Sequence, residues 1–186
     1  MRLYIGLVHY PVYNKNYQVI ASAITTVDIH DIARLSRTYG VKIFFVINPL
    51  DDQRRLAERV KRHWTTGYGA NYNKDRKEAI ALLKVVHDLS TALHMITEIE
   101  KETPLMIATD ASRQKDCSIS YKETSKIISE DRVVILIFGT AWGLGKTVIE
   151  DADYVLEPIY GKTGYRHLSV RSAAAIILDR LVGRHD

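Results

Sequence analysis

The sequence predicts an α/β fold, a mostly parallel sheet with helices on both faces. An unbroken apolar run, Val133-Val134-Ile135-Leu136-Ile137-Phe138, leads straight into Gly139-Thr140-Ala141-Trp142-Gly143-Leu144. Strands buried on both faces read as such runs, and in open parallel sheets the loop at the C-terminal end of a strand is where ligands bind. Shorter apolar runs recur along the chain. Segments of helical periodicity separate them, and that alternation implies strands connected through helices.

Taken in order, Leu3 to His9 is the first strand and Val41 to Ile47 the second, the latter bounded by Gly40 and by Asn48-Pro49. Between them Asp28 can cap a helix whose buried face is Ile29, Ile32, Ala33 and Ser36, at spacings i, i+3, i+4 and i+7, with Gly40 as its stop. A second helix is expected from Asp51 to Trp64. The helical stretch that begins near Asn73 and closes at Thr103-Pro104 contains Leu83-Lys84-Val85-Val86-His87, readable as a short strand before a helix capped by Asp88 or as the middle of one long helix; the strand is favoured. Leu105 to Thr109, Val133 to Phe138 and Tyr154 to Glu157 complete the strands.

Bulk properties narrow the classes. The 186 residues are read as one domain, 1–186, long enough to bury a core without staples. The single cysteine, Cys117, cannot form an internal disulfide, and no apolar stretch approaches the roughly 18 residues of a membrane span. The N-terminal run has no signal-peptide pattern and reads as a core strand, so the expected location is the cytoplasm, away from membranes. Lys and Arg number 26 against 22 for Asp and Glu, a net charge of +4 that permits a polyanionic partner. No metal is expected.

Gly145-Lys146-Thr147 after an apolar strand invites a P-loop reading. That motif needs four residues between its glycines, and Gly139 to Gly145 leaves five, so successive N–H groups would not converge on one phosphate. Lys146 is instead expected in the first turn of a short helix running to about Glu150.

The order and spacing of the C-terminal segments resemble the SPOUT superfamily, the α/β-knotted RNA methyltransferases. Asp28 and Arg34 have the six-residue spacing of that group's first motif, with Asp in place of Asn; Gly139 to Leu144 matches its glycine loop without the usual glutamate; Pro158-Ile159 and His167-Leu168-Ser169-Val170-Arg171-Ser172-Ala173 match its third motif, with Ser169 in place of Asn. The missing glutamate and changed asparagines point away from the ribose-methylating branch. With His9-Tyr10-Pro11 and Thr109-Asp110-Ala111-Ser112, the whole chain is similar to a stand-alone bacterial family described as SAM-dependent RNA methyltransferases, some members of which are fused to a tRNA guanine-N1 methyltransferase.

That resemblance implies a deep C-terminal trefoil knot, a homodimer, and S-adenosylmethionine held by the knotted loops. On this chain the implied cofactor residues are Ala108 and Thr109, Gly139 to Leu144 (Thr140, Ala141, Trp142 and Gly143 included), Pro158, Ile159, Gly161, and His167, Leu168, Ser169, Arg171, Ser172 and Ala173. The residues are compatible: Gly139 and Gly143 let backbone approach a flat ring, Gly161 and Gly164 permit a sharp turn, and Leu144, Ile159 and Leu168 offer apolar walls. Trp142 either stacks on a ligand or covers a sheet end. For the reaction, Asp28 and Asp110 are candidate bases and Arg34 a residue to hold a phosphate or orient the acceptor. Asp28 is equally readable as a helix cap only.

The acceptor leaves a trace in residues 54–77. Eight cations (Arg54, Arg55, Arg59, Lys61, Arg62, Lys74, Arg76, Lys77) face only Glu58 and Asp75, with Trp64, Tyr68 and Tyr72 among them. Cations for phosphates and aromatics for base stacking suit looped RNA, and a tRNA or rRNA base is a better acceptor than a ribose here. A non-catalytic SAM- or RNA-binding module on the same scaffold is the alternative.

Overall fold

Seven parallel strands in the order β5-β4-β1-β8-β6-β9-β7 form the centre of the computed structural model, which describes residues 1–112 and 118–184. Cys117 lies outside the described residues. In chain order the elements are β1 (Arg2–Val8), β2 (Val12–Tyr13), β3 (Val19–Ile20), α1 (Thr26–Thr38), β4 (Phe44–Ile47), α2 (Asp51–Thr65), α3 (Tyr68–Tyr72), α4 (Lys74–Ala81), β5 (Leu83–Val86), α5 (Leu89–Glu100), β6 (Leu105–Thr109), β7 (Ser118–Ile119), α6 (Tyr121–Ser129), β8 (Val133–Gly139), α7 (Lys146–Glu150), β9 (Tyr154–Leu156) and α8 (Val170–Val182). The favoured reading at Leu83 holds: β5 is a strand, and the Asp88 side chain caps α5 by accepting the Thr91 N–H.

The two central strands are β1 and β8, paired in register from Arg2↔Val133 to Val8↔Gly139. Successive side chains of a strand point to opposite faces, so β1 feeds two cores. Leu3, Ile5 and Leu7 join Ile29, Ile32, Ile80, Ile177 and Leu178 under α1, α4 and α8, while Tyr4 and Val8 join Ile96, Ile135 and Val148 under α5 and α7. Helices therefore cover both faces, and α8 packs on α1, α6 and β8.

Three local features differ from the sequence reading. Thr25, not Asp28, is the N-cap of α1: its hydroxyl accepts the Asp28 N–H at 3.2 Å and donates to the Asp28 carboxylate at 2.5 Å. A threonine three residues ahead of an acid meets two needs at once, since the acid in the first turn also suits the helix dipole. The regular ladder of the second strand begins only at Phe44, although Lys42 N–H already donates to Leu3 O and Ile43 O accepts the Ile5 N–H in the approach segment. The third is an addition: β2 and β3 form an antiparallel hairpin that no alternation in the sequence announces.

Candidate functional site

The loop leaving β8 folds back on its own strand. A Cβ on Gly139 would lie 2.8 Å from the Leu144 backbone nitrogen, so the space a side chain would need is taken by the loop itself. Ala141 (φ 52°) and Gly143 (φ +106°) are both in the left-handed region that makes the turn. The β2–β3 hairpin then clamps the loop: Tyr13 N–H donates to Gly143 O (3.0 Å), Trp142 N–H to Tyr13 O (2.9 Å) and Gly145 N–H to Pro11 O (2.8 Å). Leu144 is drawn into the core, whereas the Trp142 side chain is 61% exposed. Lys146 opens α7, and its ammonium pairs with Glu150 at 3.4 Å in solvent, as expected of a surface lysine.

Two further loops rise beside this one. Strand β6 lies between β8 and β9, with Ala108 level with Ile137 on one side and Val155 on the other, so the loops after Gly139, Thr109 and Leu156 leave the same edge of the sheet side by side. Thr109 donates its hydroxyl to Ile137 O at 3.0 Å. Asp110 accepts the Ser112 N–H and hydroxyl at 2.6 and 2.7 Å. Beyond the buried Pro158 and half-buried Ile159, residues 160–169 are exposed, Leu168 included. Gly161 and Gly164 meet no atom within 4 Å and have no positive φ, so the sharp turn expected of them does not depend on glycine.

The first turn of α8 is tied to α1. Ser169 caps α8 by accepting the Ser172 N–H at 3.2 Å. The Arg171 guanidinium reaches Asp28 at 2.6 Å and Asp31 at 3.3 Å, and Asp28 is only 7% exposed. Close by, His9 is fully buried at the end of β1; its Nδ1 is 2.9 Å from the Ser22 hydroxyl, which lies 2.6 Å from the Thr140 hydroxyl, and Thr140 in turn donates to Val8 O at 3.0 Å. Burial pushes the His9 imidazole down to about 4, against the pull of the Asp28 carboxylate and the Ala23 backbone, and its Nε2 has no hydrogen bond of good geometry. Asn48, also fully buried, supports the chain by donating to Ser22 O at 3.0 Å. Sequence reasoning singled out His9 but missed Ser22 and Asn48, whose partners are far away in the chain.

Asp28 and Arg34 are not brought together. Six residues on a helix turn about 240° and rise about 9 Å, and Arg34 is exposed beside α4, in a cleft with Arg37 and Arg76. In the basic segment Arg54 is committed to structure, donating to Asn48 O (3.0 Å) and Pro49 O (2.6 Å) and pairing with Asp51. Trp64 is half-buried against the core, edge-on to His30 and His63 and covered by Arg76 at 4.6 Å. Tyr68 and Tyr72 are exposed and stacked on each other, centroids 6.2 Å apart. Among the described residues no group of three or more His, Cys, Asp or Glu side chains is placed to hold a metal ion.

A family model described as SAM-dependent RNA methyltransferase matches residues 2–183. The chain is 44% identical over 181 residues to the tRNA (guanine-N(1)-)-methyltransferase of Nitratidesulfovibrio vulgaris, covering 97% of this chain and 42% of that protein. It therefore spans about two fifths of the length of that relative. An uncharacterized protein of Aquifex aeolicus is 37% identical over 187 residues, covering 98% of this chain and 89% of its own. Among solved structures, TrmJ from Z. mobilis superposes with a TM-score of 0.61 at 13% identity, covering 98% of this chain and 70% of that one, a likeness of fold alone.

Proposed function

We propose that this chain, which belongs to the SAM-dependent RNA methyltransferase family, holds its donor in the three loops at the C-terminal edge of β8, β6 and β9 and methylates a base of tRNA or rRNA. The observation that carries the reading is the side-by-side exit of those loops from adjacent parallel strands, the edge at which α/β sheets bind ligands. The side chains there suit the donor. Trp142, Tyr160 and Leu168 are exposed for its adenine, and Lys162 and Arg166, exposed in the same loop, suit its carboxylate. When bound, S-adenosylmethionine supplies an activated methyl group, so the protein's work is to position the acceptor and to take a proton if the acceptor atom carries one.

For the proton we propose Asp110, which stands at the end of β6 between the other two loops. Asp28, whose carboxylate is held by Arg171 and Thr25, positions the first turn of α8 rather than taking a proton. Arg34 handles the acceptor through its phosphates. The resemblance to SPOUT enzymes supports three further readings: α8 threads a trefoil knot, two chains form the working dimer, and residues 1–186 act as one domain. An acceptor of this class supports a cytoplasmic location; no helix among the described residues is long and apolar enough to cross a membrane.

Transfer of tritiated methyl from S-adenosylmethionine to unmodified tRNA and rRNA transcripts, followed by nucleoside digestion, tests the proposal. A methylated base is expected. Label on ribose, or none on either RNA, would overturn the acceptor assignment.

A further inference from the structure

On the face of the sheet that carries α1 and α4, these two helices leave a cleft of about 240 Å³ lined by Arg34, Arg37, Asn73, Asp75 and Arg76. Three guanidinium groups meet one carboxylate there. Arg37 is partly engaged, with Glu78 at 2.8 Å, but neither Arg34 nor Arg76 has a carboxylate partner among the described residues. Arg76 is held in place from below, its guanidinium stacked on Trp64 at 4.6 Å, and its Nε is buried without a partner. A stacked guanidinium is ordered before any ligand arrives, which lowers the entropy cost of binding an anion. His30 lies edge-on to the same indole at 5.4 Å; burial lowers its pKa, and the nearby charges of Arg76, Arg34 and His63 lower it further against Asp31.

We propose that the α1–α4 cleft is a phosphate subsite for the RNA backbone, separate from the loops that hold the methyl donor. The inference rests on the reading of RNA as the acceptor. Size favours a single phosphate: about 240 Å³ is below the roughly 300–1,000 Å³ of small-molecule pockets. The surroundings extend the track. Arg54, Arg55, Arg59 and Arg62 outnumber Asp51 and Glu58 in a second groove along α2, which packs on α4, and the exposed Tyr68–Tyr72 pair lies on α3, which touches both helices. Phosphates on arginines with bases on tyrosines is the pattern by which unpaired RNA is held. Arg34 thus grips the substrate from outside the reaction centre, on a different face of α1 from Asp28.

The test is equilibrium binding of an unmodified in vitro tRNA transcript, measured over a salt series, to the full chain and two variants. Arg34→Gln removes an exposed cation without an ion partner and is expected to fold with an unchanged thermal midpoint, to bind the transcript about 5–10-fold more weakly, and to lower the slope of log K against log salt by about 0.7–0.9, one phosphate's worth. Asp75→Asn removes the cleft's carboxylate and is expected to tighten binding about 2-fold, an opposite sign that misfolding cannot produce. Unchanged affinity and slope in Arg34→Gln would overturn the subsite while leaving methyl transfer by the wild type intact. A changed sedimentation coefficient with unchanged RNA affinity would assign the cleft to a contact between subunits and also overturn it. A wild-type chain that binds no transcript at any salt would remove the subsite together with the RNA assignment.

Discussion

The two ends of the parallel sheet are built from similar polar residues and use them in opposite ways. At the N-terminal end the charged groups satisfy one another: the chain's amino terminus pairs with Asp131 at 3.0 Å, Arg2 with Glu102 at 2.8 Å, and Lys42 with Glu100 at 2.7 Å. The Glu100 side chain is 7% exposed; burial opposes its ionisation, yet hydrogen bonds from Lys42 and the Tyr4 hydroxyl outweigh burial and hold the carboxyl below its ordinary range. At the C-terminal end, His9 Nε2 has no hydrogen bond of good geometry, and Trp142 and residues 160–169 face solvent. Closed polar accounts mark the end that holds the sheet together. Open ones mark the end at which we propose that the methyl donor binds.

The sharpest way to break that contrast is Gly139→Val. Its Cβ would fall 2.8 Å from backbone, not from a side chain that can swing aside, so the loop must leave its strand end. S-adenosylmethionine binding should weaken about 1,000-fold, roughly 4 kcal/mol, by calorimetry. The same titration on Glu100→Gln should match wild type, and a loss there would erase the distinction between the ends.

Next in size is an acid effect at His9. Its imidazole titrates near 4 in the folded chain and near 6.5 when unfolded, so the unfolded state binds the proton more readily. The stability this represents is complete above about pH 6.5 and is lost as pH falls toward 4, about 3 kcal/mol in all. Urea unfolding at several pH values should show this loss in wild type and a smaller one in His9→Gln.

Arg171→Gln leaves the Asp28 carboxylate buried without its guanidinium. Because the Arg171 side chain is 35% exposed, the cost is discounted from that of a fully buried pair to about 2 kcal/mol. Turnover should fall about 10-fold as the first turn of α8 loosens, and Arg171→Lys should restore most of it. A variant that loses stability but keeps full turnover would confine the pair to the scaffold. Smallest of all, Glu100→Gln should lose about 1–2 kcal/mol, a drop of a few degrees in melting temperature, with turnover unchanged.

Much of this architecture was legible in the chain. The run Val133 to Phe138 announces a strand buried on both sides, and Ile29, Ile32, Ala33 and Ser36 mark the buried face of α1, because burial imposes a period that survives in sequence. The β2–β3 hairpin was not legible: with two residues per strand there is no period to read, and its role appears only through hydrogen bonds to Gly143 and Gly145. For the site, glycine spacing located the loop after β8. The pair of Asp28 with Arg171 joins positions 143 residues apart, which no local pattern encodes. Thr25 escaped notice as the cap because Asp28 is an equally good capping residue, and only the backbone geometry chooses between them.

Hydrogen–deuterium exchange of the full chain with and without S-adenosylmethionine tests the central claim most directly. New protection is expected in residues 139–145 and 156–173, with 108–112 at the end of β6 following and the Glu100 end of the sheet unchanged. Protection centred on the α1–α4 cleft, or at the N-terminal end of the sheet, would contradict it.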